Sequence, residues 1–577
     1  MPDWRRAAAE TQGLVICQEE RATEDTIGKP PPRTTNEKQC STGARRMKTR
    51  FWAGVLIGLA PPVNAWAPFP ANSRQNARSS GSAIVKVEST GATDSFTTWA
   101  ISQGVDAPLV EVAVFPGGGR GVRATSEIEG GSPLMTVPKK LTLETTTLSR
   151  QPPASFPEGW VPPEAWAGAK WYVRLALLLL HEKQRGASSP LLIWLDALPT
   201  IYDFRESLPL HWSEDECEEL QYEPLLDAIE KQRNEYRAAF DSCALSTGVT
   251  FDEFSWALHC VRSRAFSGAW EGSAWEERAI QAGFTAALAT GALAVGVVEP
   301  AQVINGVLAV GLTTVMRDYL VMNSGNLKRY VLCPFVDMMN HRGNYVSDVA
   351  YEYFGNGFSA TVNRRFVAGE EVCISYGKRS NDQLMQFYGF TETDNPNDQY
   401  EVRGLLELVD AALPGGVAPG RLALLKEAGL LDAVRTGTAT PSGFVDATRR
   451  AVRALVATDD EVVKAGGGAA GCAALANAAG MKAGLTGSSE LDARLDAALA
   501  TACEIELEKL PSTFSEDLAR LRASSQSEKL EKTGNNRQNS GGGFASNSEL
   551  YPRTKLALQF RLEKKRVLRS CMETLRC

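Results

Sequence analysis

Two stretches of the chain between residues 330 and 390 each deliver polar side chains directly after an apolar run. The run YVLCPFVDMM leads to Asn340 and His341, and the run VCIS leads to Tyr376. Enrichment in Val, Ile, Phe and Cys over a few residues predicts short buried strands. Functional residues commonly lie at the ends of strands, so this region is the candidate site.

The segment between these runs has the composition of a hairpin followed by a turn. Residues 348–362 (DVAYEYFGNGFSATV) are aromatic and β-branched around a Gly-Asn-Gly centre, which predicts two antiparallel strands. Gly369 and the two glutamates after it then form the turn that leads into the second apolar run. Asn-His alone is more often a turn or a helix cap, so the order of all three parts carries the information.

This order resembles that of the SET-domain protein methyltransferases, in which Asn-His stands at one strand end and Tyr at another, with the second segment threaded through the loop of the first. The matching parts are DMMNH, a β-meander and AGEEVCISYG. The resemblance implies an α+β fold, namely a SET β-clip or pseudoknot domain with a helical insert, and S-adenosyl-L-methionine as cofactor. It also implies that Asn340 and His341 hold the amino group and adenine of this cofactor, His341 largely through its backbone.

The methyl transfer that the resemblance implies sets clear requirements. A methyl group on a sulfonium is already activated, so the enzyme must align an amine lone pair behind the S–CH₃ bond and exclude water. The amine must be neutral, and an apolar aromatic channel lowers the pKa of lysine from its ordinary value of about 10.4. Tyr376 is the expected catalytic residue, because its hydroxyl can orient the amine and contact the methyl group through weak C–H···O interactions.

Further substrate-binding residues are implied by the same resemblance. Tyr388 and Phe390, in QFYGF, are expected to be walls of the lysine channel, with core packing as the alternative. Tyr388 favours lysine over histidine as acceptor, because the actin-histidine branch of the family does not keep a Tyr before Gly-Phe. Asp337 belongs to the same apolar run as Asn340 and is expected to support either the cofactor pocket or the substrate pocket.

A glycine-rich turn and an arginine are the other candidate cofactor ligands. The stretch GRGVRA formally matches G-x-G-x-x-A, but a dinucleotide-binding turn must open a helix, and here another Gly turn and a strand follow, so a hairpin is predicted. By resemblance, Gly119, Arg120 and Gly121 lie along the cofactor, mainly through main chain; a surface hairpin is the alternative. Arg264, in SRAF, is expected to pair with the cofactor carboxylate, and an exposed helix-terminal arginine is its alternative.

Composition limits the remaining functions. A net charge of −7 over 577 residues provides no basic field, so no direct contact with nucleic acid is expected. The 11 cysteines include no C-x-x-C pair, and of the 4 histidines only His259 adjoins a cysteine, so neither a metal site nor a disulfide framework is predicted. The expected partner is a protein substrate, and the chain is expected to be a monomer.

Residues 1–94 are interpreted as a disordered leader that contains a targeting segment. Basic residues precede FWAGVLIGLA and small residues follow it, which is typical of a signal peptide over 47–65. The subsequent WAPF, with arginines among Ser and Asn, resembles the junction of bipartite plastid presequences. A plastid (chloroplast stroma) location is therefore predicted, with a cytoplasmic one as the alternative; an accidental apolar patch in a disordered leader is the other interpretation.

The remainder divides into a SET domain and a helical domain. The SET domain is predicted over 95–394, with a helical insertion at about 155–330. Within it, residues 279–316 form an apolar hairpin whose two uncharged arms are separated by Glu299 and Pro300. We expect this hairpin to pack on the domain rather than to contact a membrane. Periodic Leu and Ala predict an all-α domain over 395–577, with a disordered insertion at 523–548, that resembles the substrate-binding domain of Rubisco large-subunit methyltransferases.

A basic stripe near the C-terminus is interpreted as a solvated helix face, and contact with an acidic partner is the alternative. It comprises Arg561, Lys564, Lys565, Arg566 and Arg569.

Taken together, the sequence predicts an S-adenosylmethionine-dependent methyltransferase that modifies the side-chain amine of lysine in a non-histone protein. The Rubisco large subunit, aldolase or another plastid protein is the expected substrate. Two alternatives stay open: histidine methylation on the same scaffold, and a non-catalytic, membrane-tethered binding protein that kept the fold.

Overall fold

A computed structural model describes residues 15–16, 91–115, 119–147, 149–243, 248–269, 275–294, 300–323, 328–352, 357–477, 489–533 and 552–576. The first helix, Gly91–Ser102, begins close to the predicted start of the folded part. The predicted leader, including its signal-like segment 47–65, lies outside the described residues apart from the two-residue strand Val15–Ile16 and the beginning of this helix.

Short antiparallel sheets form the N-terminal half. The predicted glycine hairpin is confirmed, since Val110–Phe115 pairs with Gly119–Ala124. The predicted hairpin over 348–362 is also confirmed as two neighbouring strands of a three-stranded sheet. That sheet has the order Pro133–Pro138, Gly357–Val362, Ser347–Glu352. A four-stranded sheet has the order Val15–Ile16, Phe266–Ala269, Lys328–Leu332, Leu143–Thr146.

Helices of the insertion separate the strands. They are Pro163–Gly168, Trp171–Gln184, Leu192–Ala197, Ile201–Ser207, Glu214–Glu218, Glu223–Cys243 and Phe251–Arg264. The last of these matters for the site, because Thr250 and Glu253 form a capping box that fixes its start. Its apolar residues Phe254 and Leu258 are fully buried, which fixes the orientation of the helix. Arg264 lies in its last turn.

A two-helix insertion, Trp275–Ala294 and Pro300–Asn323, forms the predicted helical hairpin. Several of its apolar side chains are exposed, among them Phe284 at 66% and Leu308 at 65%. The expectation that the hairpin packs on the domain is therefore wrong for these side chains. Among the described helices, none combines the length and the apolar character that crossing a membrane requires.

The C-terminal region is helical, as predicted. Its helices are Leu405–Ala412, Arg421–Glu427, Leu431–Arg435, Asp446–Val456, Asp459–Lys464, Gly468–Asn477, Ser489–Lys509, Phe514–Thr533 and Pro552–Arg576. The structure adds a small antiparallel sheet that the sequence analysis did not predict, formed by Tyr400–Arg403, Thr436–Thr440 and Gly443–Phe444. Helix Phe514–Thr533 extends into the predicted insertion 523–548, whose remainder lies outside the described residues.

The interpretation of the basic stripe as a solvated face is wrong for three of its five residues, whereas Arg566 is partly exposed and Arg569 is exposed. Arg561, Lys564 and Lys565 of the helix Pro552–Arg576 (the C-terminal helix) are at most 2% exposed. Arg561 and Lys565 pair with Asp517, and Lys564 pairs with Asp398. A cationic face at helical spacing has the same pattern whether water or distant carboxylates neutralise it, so the sequence pattern did not distinguish the two.

Candidate active site

The first apolar run reaches the site as a turn, not as a strand. The strand Lys328–Leu332 ends before Pro334, which has no N–H to donate, and Phe335, whose φ of 76° is incompatible with a strand. A short 3₁₀ turn, Val336–Met338, then leads to Asn340. The prediction of a strand that stops at Asn340 is therefore wrong, although the residue does follow a strand closely.

The second apolar run crosses the first. The N–H of Val372 donates to Val122 O at 2.7 Å, and the N–H of Ile374 donates to Asn340 O at 2.8 Å. The N–H of Arg342 in turn donates to Ile374 O at 3.0 Å. Because the pairing partner changes within two residues, no regular strand forms, and the predicted strand is wrong here too. The crossing places the residues after Ile374 beside those after Asn340.

Tyr376 is held at both ends by the first segment. Its hydroxyl donates to Met339 O at 2.8 Å, and its N–H donates to His341 Nδ1 at 3.0 Å. Burial raises the pKa of the Tyr376 hydroxyl. The phenol therefore keeps its proton at neutral pH, donates a hydrogen bond to the carbonyl of Met339, and presents oxygen lone pairs to a ligand.

Aromatic rings surround Tyr376. The ring of Tyr388 stacks on it at 5.0 Å between centroids, and the ring of His341 lies at 4.9 Å. Phe390 stands edge-on to Tyr388 at 6.2 Å. The short helix Asn381–Tyr388 delivers Tyr388 and ends at Gly389, whose φ is 73°. The structure thus brings the two predicted channel aromatics to the predicted catalytic tyrosine.

Arg264 and Asp337 form a polar cluster beside Trp194. Arg264 Nη1 donates to the carbonyl of Asp337 at 2.5 Å and lies 3.8 Å from its Oδ2, which also accepts a hydrogen bond from Trp194 Nε1 at 3.0 Å. Burial raises the pKa of Asp337, and the charge of Arg264 opposes this effect. Among the described residues, Arg264 Nε and Asp337 Oδ1 have no hydrogen-bond partner. Asp337 is thus grouped with a predicted cofactor residue, and it makes no described ring or hydrogen-bond contact with Tyr388 or Phe390.

The glycine hairpin lies against Asn340. Asn340 Nδ2 donates to Glu371 Oε1 at 2.7 Å and to Arg120 O at 3.2 Å. A Cβ on Gly121 would lie 2.7 Å from Glu371 Oε1 and 2.9 Å from Asn340 Nδ2, so a larger residue there would displace these two side chains. The φ of Gly119 is 70°. The guanidinium of Arg120 donates to the carbonyl of Ala197, and burial and the charge of Arg264 lower its pKa while the charge of Asp337 opposes this effect. That Arg120 contacts the cofactor mainly through main chain stays a prediction.

These residues fit S-adenosyl-L-methionine, the cofactor that the resemblance implies. An unpartnered, buried Nε on Arg264 suits a carboxylate, which guanidinium groups bind well. The absence of a side chain at Gly121 lets Glu371 and Asn340 approach the main chain of the hairpin closely. Within the part of the chain that the structure describes, no three His, Cys, Asp or Glu side chains are grouped as a metal ion would require.

Two glutamates that contact the site were not among the predicted site residues. Glu371 accepts a hydrogen bond from Asn340 Nδ2, and Oε2 of Glu392 lies 3.4 Å from His341 Nε2. Glu371 belongs to the predicted turn, where a solvated glutamate is equally common. Glu392 lies in an irregular segment, and no sequence pattern marked it.

Comparison with known proteins gives a match to the family model described as Rubisco LSMT substrate-binding over residues 418–568. The chain is 27% identical over 328 residues to [fructose-bisphosphate aldolase]-lysine N-methyltransferase, chloroplastic, of Arabidopsis thaliana, with 53% of each chain covered. It is 23% identical over 320 residues to actin-histidine N-methyltransferase of Xenopus tropicalis, with 53% of this chain and 44% of that protein covered. The chain thus spans about half the length of these curated relatives.

A solved structure, the SET domain of LSMT bound to lysine and AdoHcy, aligns with a TM-score of 0.48 and 18% identity over 84% of this chain and 92% of that chain.

The family model and the named relatives confirm the resemblance to SET-domain protein methyltransferases of the Rubisco large-subunit type. Residues 418–568 match the substrate-binding model of that type, and 328 residues of the chain resemble a named protein-lysine methyltransferase.

Proposed function

We propose that the protein is an S-adenosylmethionine-dependent methyltransferase that acts on the side-chain amine of lysine in a protein substrate. The observation that carries this proposal is that Tyr376 is held at its hydroxyl and its N–H by the segment that presents Asn340, and that its ring stacks on Tyr388. A fixed phenol oxygen beside an aromatic channel is what alignment of an amine with an activated methyl group requires.

Cofactor binding is assigned to the polar residues. Arg264 would hold the carboxylate, Asn340 and the main chain of His341 the amino group and adenine, and Gly119, Arg120 and Gly121 would lie along the molecule. Bound there, S-adenosyl-L-methionine supplies an electrophilic methyl group. Asp337 is assigned a supporting role on this side of the site, because it accepts hydrogen bonds from Arg264 through its carbonyl and from Trp194 through its carboxylate.

The acceptor side is assigned to Tyr376, Tyr388 and Phe390. Their rings exclude water, which disfavours the charged ammonium and lowers the pKa of a lysine that enters. The Tyr376 hydroxyl donates its own hydrogen bond to Met339 O. Its oxygen can then accept a hydrogen bond from the amine and a weak C–H···O interaction from the methyl group.

The proposed substrate is a plastid protein, such as the Rubisco large subunit or aldolase. Support comes from the named target and location of the Arabidopsis relative and from the presequence-like leader. We retain the division into a SET domain over 95–394 and a substrate-binding domain over 395–577. The buried residues form two groups, and the second combines residues of 395–577 with some of the insertion, among them Trp212, Tyr222 and Ile229. We also retain the proposal of a monomer without nucleic acid and without a membrane contact through 279–316.

The test begins with calorimetric titration of the full chain with S-adenosylmethionine. Wild type is expected to bind at micromolar concentration, whereas Asn340→Ala and Arg264→Ala lose this binding. Arg185→Ala, which removes an exposed guanidinium paired with Glu182, serves as control and is expected to bind as wild type does. Absence of binding by folded wild-type protein would overturn the enzyme proposal.

Transfer of radiolabelled methyl groups to purified Rubisco, to aldolase and to a plastid extract then identifies the acceptor. Amino-acid analysis of the labelled protein is expected to give methyllysine. Methylhistidine would instead establish the alternative acceptor and contradict the argument from Tyr388.

A further inference from the structure

Glu392 fixes the orientation of the His341 ring. Its Oε2 lies 3.4 Å from His341 Nε2, and its Oε1 accepts the N–H of Gly343 at 2.8 Å. On the other side of the ring, the N–H of Tyr376 donates to Nδ1, so this nitrogen carries no proton. The proton of the neutral ring must then sit on Nε2, facing the carboxylate of Glu392.

The carboxylate is suited to this task because it is charged and well enclosed. The side chains of His341 and Glu392 are only 1% and 15% exposed. Burial acts to raise the pKa of Glu392, but the interactions with His341 and with the N–H of Gly343 outweigh it and lower the pKa. Glu392 is therefore ionised at neutral pH: its Oε1 accepts a hydrogen bond from the N–H of Gly343, and its Oε2 lies at ion-pair distance, 3.4 Å, from His341 Nε2.

Asn381, which is completely buried, holds the backbone of Glu392. Its Oδ1 accepts the N–H of Glu392 at 2.9 Å, and its Nδ2 donates to the carbonyl of Glu392 at 3.1 Å. The same Nδ2 donates to Asp398 Oδ2 at 2.7 Å. One buried amide thus joins Glu392 to Asp398.

Asp398 is tied to the C-terminal helix through Lys564. Lys564 Nζ donates to Asp398 Oδ1 at 2.8 Å and to Gln399 O at 2.7 Å, and it pairs with Asp382 Oδ1 at 2.8 Å. Lys564 lies inside the segment that matches the substrate-binding family model. A continuous series of polar contacts therefore runs from that domain to His341 and Tyr376.

We propose that Glu392 is a positioning residue for methyl transfer: it holds the ring of His341, which fixes the backbone of Tyr376, and its own position is set from the C-terminal helix through Lys564, Asp398 and Asn381. This inference rests on the proposed function, in which Tyr376 stands at the transfer point. It gives the substrate-binding domain a second role, since that domain also supports the geometry of the transfer site.

The kinetic test compares Glu392→Ala and Glu392→Gln with a control in the same segment, Asp394→Asn. Asp394 also pairs with the C-terminal helix, through Arg566 at 2.8 Å, but its side chain is 77% exposed. Its φ is 55°, a conformation that Asn adopts readily, so this control keeps the backbone.

With the acceptor that wild type labels, Glu392→Ala is expected to lower kcat roughly ten- to hundredfold, because misplaced reacting groups lose that much, while KM changes less than about twofold. Glu392→Gln keeps the shape and an acceptor oxygen and should recover most of kcat. Asp394→Asn should match wild type. A wild-type kcat for Glu392→Ala would overturn the proposal, as would equal losses in Glu392→Ala and Asp394→Asn.

A second measurement does not depend on activity. The chain has 4 histidines, so ¹⁵N-histidine NMR of the full chain can resolve them, with His341→Gln used for assignment. Wild type is expected to show His341 in one tautomer with the proton on Nε2, and Glu392→Ala should show a mixture. Gly343→Ala should act in the same way, because its Cβ would lie 2.4 Å from Glu392 Oε2 and displace the carboxylate.

An unchanged His341 signal in both variants would overturn the positioning role. If wild type labels no protein, the proposed function fails, and the NMR comparison still decides whether Glu392 orients His341.

Discussion

The C-terminal helix and the two-helix insertion place their side chains in opposite surroundings. The C-terminal helix is rich in Lys and Arg, yet Arg561 and Lys564 are 1% and 2% exposed. The two-helix insertion is almost without charge over 279–316, yet Phe284 and Leu308 are 66% and 65% exposed. In these two regions, the hydropathy of a residue does not indicate whether it is buried.

The difference teaches that burial here depends on what the rest of the chain provides as a partner. Burying a cation is costly unless a carboxylate and hydrogen bonds compensate for the lost water. Asp517 compensates Arg561, and Asp382 with Asp398 compensates Lys564. The exposed apolar side chains of the insertion have no comparable partner, because no apolar surface in the described part of the chain covers them.

Among the substitutions that test this comparison, Lys564→Met is expected to change the free energy of unfolding most. The substitution leaves the carboxylates of Asp382 and Asp398 buried without their cation, which should lower the free energy of unfolding by about 3–5 kcal/mol. Urea unfolding at pH 7 measures this loss. Arg576→Met is the matched control in the same helix, because its pair with Glu504 is exposed on both sides and should be worth less than about 1 kcal/mol. Equal losses in the two variants would contradict the contrast between buried and exposed pairs.

A smaller effect with a distinctive pH dependence is expected from Asp517→Asn. Burial acts to raise the pKa of Asp517, but hydrogen bonds from Arg561, Lys565 and Ser512 outweigh it and lower the pKa. Its ionised form therefore stabilises the fold above the unfolded pKa of about 3.9, and this contribution is lost as the pH falls through the lower, folded pKa.

Asp517→Asn should lower the free energy of unfolding by about 1.5–3 kcal/mol at pH 7. Because the variant lacks this carboxylate, its stability should fall less than that of wild type when the pH is lowered from about 5. Unfolding curves recorded across this range test the prediction. Parallel pH profiles for wild type and variant would show that Asp517 does not supply the effect.

The smallest effect is expected from Phe284→Ser in the insertion. Because this ring is 66% exposed, its replacement should change the free energy of unfolding by less than about 0.5 kcal/mol. Phe254→Ser, at a fully buried ring, is the control and should cost about 3–5 kcal/mol. A comparable loss for Phe284→Ser would mean that the ring is covered in the folded protein, which would remove one side of the comparison.

Much of the candidate site could be predicted because its residues belong to short motifs. Asn340, His341 and Tyr376 were expected to meet, and they do, with Tyr388 stacked on Tyr376 as a channel wall would be. The local conformation was predicted less well, since both apolar runs were expected to continue as strands. A proline and a positive φ end the first, and a change of pairing partner prevents the second, and neither effect alters the apolar pattern.

By itself, the sequence determined the elements that depend on neighbours along the chain: the glycine hairpin, the capped helix that ends at Arg264, and the helices of the insertion and the C-terminal region. Only the tertiary structure decided which distant groups meet. Asn340 and Glu371 are 31 residues apart, and Lys564 and Asp398 are 166 apart. A carboxylate or an ammonium gives no local signal of its partner, because solvent and a buried counter-charge satisfy it equally well until the chain has folded.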